Sequence, residues 1–265
     1  MSTLPRTKEL MIRKSNTLLT ARYKLTAMEM NIMYMVIALI DPNDADFKDY
    51  SFNIKEFAEI FGLTISGSTT RHLLKAASSL VSRYIELEYS ETKVTLVAWL
   101  TIFQYERDTG KITVRFEKAL KPYLLQLHKA GNYTKFPLSC VALLRRFYSK
   151  RLYELLREQF YLIDETGEWE KTFTIPNYRS MLGILDNEYP LFANFRVTTI
   201  DNPIKDINEN SNIQIYDIKY HKEGRNIVSF TLFFRIVESA IDMLRRLDKK
   251  KNRESVIPYV RKRLI

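Results

Sequence analysis

The chain has 265 residues, 46 % of them hydrophobic and 27 % charged, with a formal net charge of +10 and a single cysteine, Cys140. That length suits two domains with cores of their own, no stretch approaches the ~18 apolar residues of a membrane helix, and one thiol excludes an internal disulfide framework. The opening MSTLPRTKELMIRKS lacks the apolar segment of a signal peptide, so the expectation is a cytosolic protein with no membrane partner. The charge sits at the ends: residues 1–14 carry four basic and one acidic side chain, and residues 245–265 carry nine and two. Both ends are expected to be solvated and flexible, a basic arm and a basic tail that attract polyanions without reading them. Sequence reading would have to come from local patches in the near-neutral body.

In chain order, Thr26 and Glu29 form a T-x-x-E capping box that opens a helix over residues 27–40, stopped at Asp41-Pro42. Its methionine-rich face reads as core. A short helix at 53–62 and a TISG turn lead to a second helix, capped by Ser68 and reaching Ser82. On that helix Leu73, Leu74, Ala77, Leu80 and Val81 share one face, while Arg71, His72, Lys75, Ser79 and Ser82 share the other. Aliphatic anchoring behind, with basic and hydroxyl groups in front, is what a recognition helix needs for phosphates and base edges. Residues 84–116 alternate as strands with a turn at Asp108-Thr109-Gly110, and the longer strand around Val94–Phe103 is apolar on both faces. One face suits the core and the other a partner. A helix over 117–129 and the Gly131-Asn132 stop close the first half.

The second half repeats the first. FNIKEFAEIFGL at 52–63 and FTIPNYRSMLGI at 173–184 share Phe-x-Ile, an aromatic, a bulky apolar residue and a glycine, without a gap and 121 positions apart. Helix, sharp turn, second helix and hairpin, twice over, give the expected fold class: α+β, two tandem winged helix-turn-helix domains related by internal duplication. The expected boundaries are an arm at 1–14, a first domain at 15–131, a second at 132–244 and a tail at 245–265. In the second domain, residues 191–209 form the recognition helix, with Val197, Ile200, Ile204 and Ile207 as its apolar stripe and Asn194, Thr198, Asp201 and Lys205 facing away. On one straight helix Arg196 falls nearer the apolar side; Pro203 is expected to kink or restart the helix, with Asn202 as cap. The following hairpin is the wing, its tip carrying Lys219, Lys222 and Arg225.

The segments SNTLLTARYKLTAMEMNIMY, FYSKRLYELL and FRVTTIDNPIKDIN, followed by two strands around a GR turn, resemble the iteron-binding replication initiators of theta-replicating bacterial plasmids. The resemblance runs in order over about residues 15–235. It implies a plasmid protein that binds direct repeats at the origin, helps open adjacent A+T-rich DNA, and recruits the host initiator and replicative helicase. It further implies monomers that bind the repeats, in balance with homodimers joined mainly through the first domain that repress the initiator's own gene. By position, Arg196 matches the basic residue after the phenylalanine of the second recognition helix, the family's main source of base contacts. Val197 and Thr198 stand where relatives often carry further basic residues, which leaves more of the readout to Asn194, Thr198 and Lys205. Arg71, His72 and Lys75 occupy the first recognition helix, where contacts are more often to the backbone.

Catalysis finds little support. The G-x-x-x-x-G of GLTISGST has serine at the phosphate-binding lysine's place and lies between two helices. The histidines, His72, His128 and His221, are scattered, so the paired-histidine metal site of DNA-nicking initiators has no counterpart. The expectation is a non-enzyme without metal or cofactor. The rival reading is a dimeric winged-helix repressor that binds an inverted repeat and never initiates.

Overall fold

The computed structural model describes residues 10–89, 92–159 and 167–237. The basic tail at 245–265 and residues 1–9 of the arm lie outside the described residues.

The first half opens with β1 (Met11–Ser15), α1 (Asn16–Thr20) and α2 (Ala27–Ala38). The Thr26 capping box is present: its hydroxyl accepts from the Glu29 amide, and the Glu29 carboxylate accepts from the Thr26 amide. α2 is buried on every side, from Met30 to Ala38, so its methionines are core. Next come β2 (Tyr50–Asn53), α3 (Ile54–Ile60) and α4 (Gly67–Ser79), the helix-turn-helix, and then β3 (Tyr84–Tyr89), β4 (Val94–Ala98), β5 (Leu100–Glu106) and β6 (Lys111–Phe116). The order β2-β6-β5 makes the wing sheet, whereas β3 and β4 form a separate two-stranded hairpin, bridged at Glu86 to Arg22. The expected helix over 117–129 is instead a 3-10 turn at Lys118–Leu120 and two short pieces, α5 (Lys121–Leu124) and α6 (Leu127–Ala130), which part where Gln126 takes a left-handed φ of 50°.

β7 (Tyr133–Pro137) and α7 (Ser139–Ala142) lead into α8 (Phe147–Arg157), which takes the place of α2 in the second half. β8 (Glu168–Thr174), α9 (Ile175–Met181), α10 (Phe192–Arg196), α11 (Asn202–Asn210), β9 (Ile213–Glu223) and β10 (Asn226–Ile236) complete it, with sheet order β8-β10-β9. The duplication is visible atom by atom. Gly62 and Gly183 end α3 and α9 at φ 61° and 64°, and the next amides, Leu63 and Ile184, reach back to the Ala58 and Arg179 carbonyls at 2.8 and 3.0 Å. That is the left-handed helix stop of the Schellman type, which glycine adopts without strain. In the wings, Tyr105 faces Ile112 opposite Phe52, and Tyr220 faces Phe230 opposite Phe173.

The end of the expected arm is not an arm. β1 pairs antiparallel with β7, from Met11↔Pro137 to Ser15↔Tyr133, so residues 11–14 are part of the joint between the halves. Lys14 is buried there with α8: its Nζ lies 2.5 Å from Glu154 Oε1, and Arg151 Nη1 lies 2.7 Å from Glu154 Oε2. Arg151 also donates to the Tyr23 hydroxyl at 2.6 Å and to the carbonyls of Ala21 and Met181 at 3.1 and 2.9 Å. One guanidinium thus ties the start of the first domain to the helix-turn-helix of the second. Burial alone would raise the Glu154 pKa, but the Lys14 and Arg151 charges hold it below the usual carboxylate range. Beside it Lys150 is fully buried, and that burial pulls its pKa down to about 7 against the opposing pull of the Asp206 and Glu154 charges. Its Nζ donates to the Val141 carbonyl at 2.8 Å.

Candidate nucleic-acid interface

In the first domain Arg71, His72 and Lys75 are exposed on α4, and Leu73, Ala76 and Ala77 are buried behind them. Three details differ from the expected helix. Ser66, not Ser68, is the cap, its hydroxyl accepting from the Thr69 amide at 3.1 Å. After Ser79 the chain tightens into a 3-10 turn at Leu80–Ser82, which carries Val81 outward. Ser79 turns inward and donates to Glu29 Oε1 at 2.6 Å, where Arg83 Nε also donates at 2.9 Å. The capping carboxylate of α2 therefore clamps the far end of α4. The first wing carries Arg107 exposed at its tip and Lys111 paired with Glu106 at 3.3 Å; the Asp108-Thr109-Gly110 turn is legible in the sequence, whereas neither basic residue stands out there.

The second recognition helix is continuous from Phe192 to Asn210, and it neither breaks nor restarts at Pro203. It passes through a π turn at Val197–Asp201. The cause can be followed residue by residue. In an α-helix the Thr199 carbonyl would accept from the amide of residue 203, but proline has no N–H and its ring crowds that carbonyl. The helix widens, and the buried Tyr178 hydroxyl donates to the Thr199 carbonyl at 2.7 Å in the amide's stead. Asn202 is helical, at φ −63° and ψ −42°, and caps nothing.

A π turn takes one residue more than an α turn, so everything N-terminal to it swings by about 100° on the helical wheel. The expected stripe is redistributed accordingly. Phe195, Thr199 and Ile200 are buried, while Val197, expected in the core, is 45 % exposed. Arg196, expected nearer the apolar side, is turned out, and its Nε lies 3.2 Å from Asp201 Oδ2, both side chains about half exposed. A pair five residues apart meets on one face only across such a turn; Asp201 as the partner of Arg196 was missed, and Pro203 together with that spacing was the available signal. Asn194 and Lys205 are exposed and Thr198 is half-buried. The helix is held from behind by Asp206, which accepts from the Arg145 and Arg146 amides at 2.9 and 3.3 Å at the start of α8. Asn208 fixes its far end to Ile215 by two hydrogen bonds of 2.7 and 2.9 Å.

The wing residues divide. Tyr220 packs edge-on against Phe192 of the recognition helix, ring centroids 6.1 Å apart, so strand alternation puts Lys222 on the helix side and Lys219 on the opposite one. There Lys219 lines a shallow outer face with Glu170, Thr172, His221 and Thr231. Lys222 and Arg225 are exposed toward and at the tip, where Gly224 turns the chain at φ 59°. The histidines sit in three separate elements, α4, α6 and β9. Among the described residues, no three His, Cys, Asp or Glu side chains come together in a metal-holding group. Nor is any described helix long and apolar enough to cross a membrane.

Comparison with known proteins agrees with this architecture. Residues 11–157 match the model of the initiator replication protein WH1 domain, and residues 174–234 that of the initiator Rep protein WH2 domain. A replication initiation protein of Escherichia coli is 25 % identical over 252 residues, 92 % of this chain and 75 % of the relative. The PI protein of Escherichia coli is 22 % identical over 261 residues, 87 % and 84 % of the two chains. Among solved structures, the Pi initiator protein in complex with iteron DNA superposes with a TM-score of 0.73 at 21 % identity, over 88 % of this chain and 100 % of that one. Two winged helices in tandem, matched from β1 to β10 by both halves of one family, make this chain a member of the initiator replication protein family.

Proposed function

We propose that the chain initiates plasmid replication by binding direct repeats at an origin, and that it acts by binding, without catalysis, metal or cofactor. The observation that carries this reading is the turned second recognition helix. It turns Arg196 and Val197 outward, so that Arg196 and Asn194 flank the exposed strip of Ala193 and Val197, with Lys205 further along and the basic wing beside it. In the proposed complex that helix lies in a major groove and reads bases through Arg196, with Asn194, Thr198 and Lys205 assisting. Lys222 and Arg225 hold phosphate, and Lys219 takes no part. Arg71, His72 and Lys75 engage a neighbouring groove, mainly at the backbone, with Arg107 of the first wing at a flanking phosphate. Origin opening and recruitment of host initiator and helicase, in the cytosol, follow from the family and belong to the proposal.

The β3–β4 hairpin is proposed as the dimer face. Tyr84, Val94 and Leu96 lie on one side of it with exposures of 57, 54 and 57 %, a cluster of apolar surface that a solvated hairpin would not need. In that dimer the first head gives up DNA for pairing. A footprint of the full chain on the DNA flanking its own gene, at two salt concentrations, tests the proposal. Several protected direct repeats about two helical turns apart are expected. A single protected inverted repeat would favour the repressor, and no discrete footprint at either salt would overturn base reading altogether.

A further inference from the structure

We infer that Val197 reads the C5-methyl group of a pyrimidine in the major groove, beside the base contacted by Arg196. The inference rests on the DNA-reading role proposed above and adds to it a chemical class of target. A lone exposed valine on a helix needs no explanation; its position is what singles this one out. On a straight helix Val197 would join Ile200, Ile204 and Ile207 in the core. Pro203, the π turn and the Tyr178 hydroxyl on the Thr199 carbonyl together turn it outward. It emerges next to Arg196, with exposed Ala193 one turn earlier and exposed Asn194 alongside. This is the N-terminal half of the recognition helix, the part that reaches base edges in helix-turn-helix complexes.

The chemistry of the groove narrows what an isopropyl group can meet there. Base edges in the major groove are hydrogen-bond donors and acceptors, apart from the C5-methyl group of thymine. Against a donor or acceptor, Val197 would strip water without replacing its hydrogen bond, which is unfavourable. Against a methyl group it gains contact and loses nothing. Ala193 and Val197 therefore form a short apolar strip between the polar readers, selective for a methylated pyrimidine and against an unmethylated cytosine. A 5-methylcytosine offers the same group in the same place.

The test uses the full chain and synthetic duplexes of the repeat defined by footprinting, with each thymine replaced singly by deoxyuridine, which lacks only the methyl group. One thymine is expected at which deoxyuridine weakens binding about fourfold, the factor for one buried carbon. Val197→Ala is expected to be indifferent to that replacement, and Val197→Ile to keep the discrimination. A parallel set with 5-methylcytosine at each cytosine separates the two sources of the methyl group. If only that set changes affinity, and only with Val197 present, methyl reading stands with methylcytosine as its target. A discrete footprint whose affinity ignores every methyl group would overturn the inference, as would a deoxyuridine penalty that survives undiminished in Val197→Ala. Both outcomes leave the proposed function standing, whereas absence of a discrete footprint would remove the function itself.

Discussion

The two winged helices share a glycine stop, a hairpin tyrosine and a buried aromatic at the same place in the repeat, yet that aromatic is Phe57 in the first and Tyr178 in the second. The added hydroxyl is the clearest measure of how the copies have parted. In the first domain α4 is a regular helix that ends in a tightened turn, and Phe57 stacks with Phe52 and Phe61 at 5.6 and 4.6 Å. In the second, the equivalent ring reaches the Thr199 carbonyl and supports a π turn that re-aims Arg196. The first domain instead inserts the β3–β4 hairpin between recognition helix and wing, where the second runs from Asn210 into β9 through two residues. A plain recognition helix with an added apolar face fits pairing and backbone contact; a re-aimed helix with a longer wing fits base reading.

The largest expected effect concerns what holds the halves together. Glu154→Gln leaves Lys14 and Arg151 buried without their counter-charge, and the cost is expected at about 3–5 kcal/mol, measured by urea unfolding. A loss below 1 kcal/mol would mean that the two domains do not depend on this joint. Next, Leu96→Glu places a charge on the exposed face of β4; self-association measured by sedimentation should weaken roughly tenfold or more. An unchanged dimer constant would move the interface elsewhere and erase the proposed contrast between the domains. Tyr178→Phe turns the second copy toward the first. It leaves the Thr199 carbonyl unpaired and is expected to cost about 1–3 kcal/mol of stability, and affinity for the repeat should fall with it because Arg196 loses its support. Full stability in this variant would show that the π turn is held by Pro203 alone. The smallest effect separates the wing faces: Lys222→Ala should lower the salt slope of binding by roughly one unit, and Lys219→Ala should leave it unchanged. Equal slopes for the two variants would contradict the assignment of wing faces.

Much of this architecture can be read from the chain itself. The repeated F-x-I…G pattern and the Thr26-x-x-Glu29 box depend on local chemistry and appear where the sequence puts them, whereas the long strand expected around Val94–Phe103 breaks at Trp99 into β4 and β5, which join different sheets. The failures on the helices share a cause, which is that a helical wheel assumes one period. A regular wheel misplaces Val197 and Arg196 because a proline six and seven residues on changes the period, and Val81 because a 3-10 turn does the same in the other direction. Lys14, Lys150, Arg151 and Glu154 look like surface charge in one dimension; only the pairing of β1 with β7 and the packing of α8 between the domains bury them. Asp201 was read as one more polar face residue for the same reason, since five-residue spacing carries no meaning on a regular helix.

The division of labour between the two heads is tested most directly by measuring Arg196→Ala and Arg71→Ala in parallel, each on the protected repeat and on scrambled DNA of the same length. The account predicts that Arg196→Ala loses about 1–3 kcal/mol on the repeat and little on scrambled DNA, relaxing preference at one base. Arg71→Ala should weaken both DNAs by a similar factor. A uniform loss for Arg196→Ala, or a loss confined to the repeat for Arg71→Ala, would contradict the assignment of base reading to the re-aimed helix.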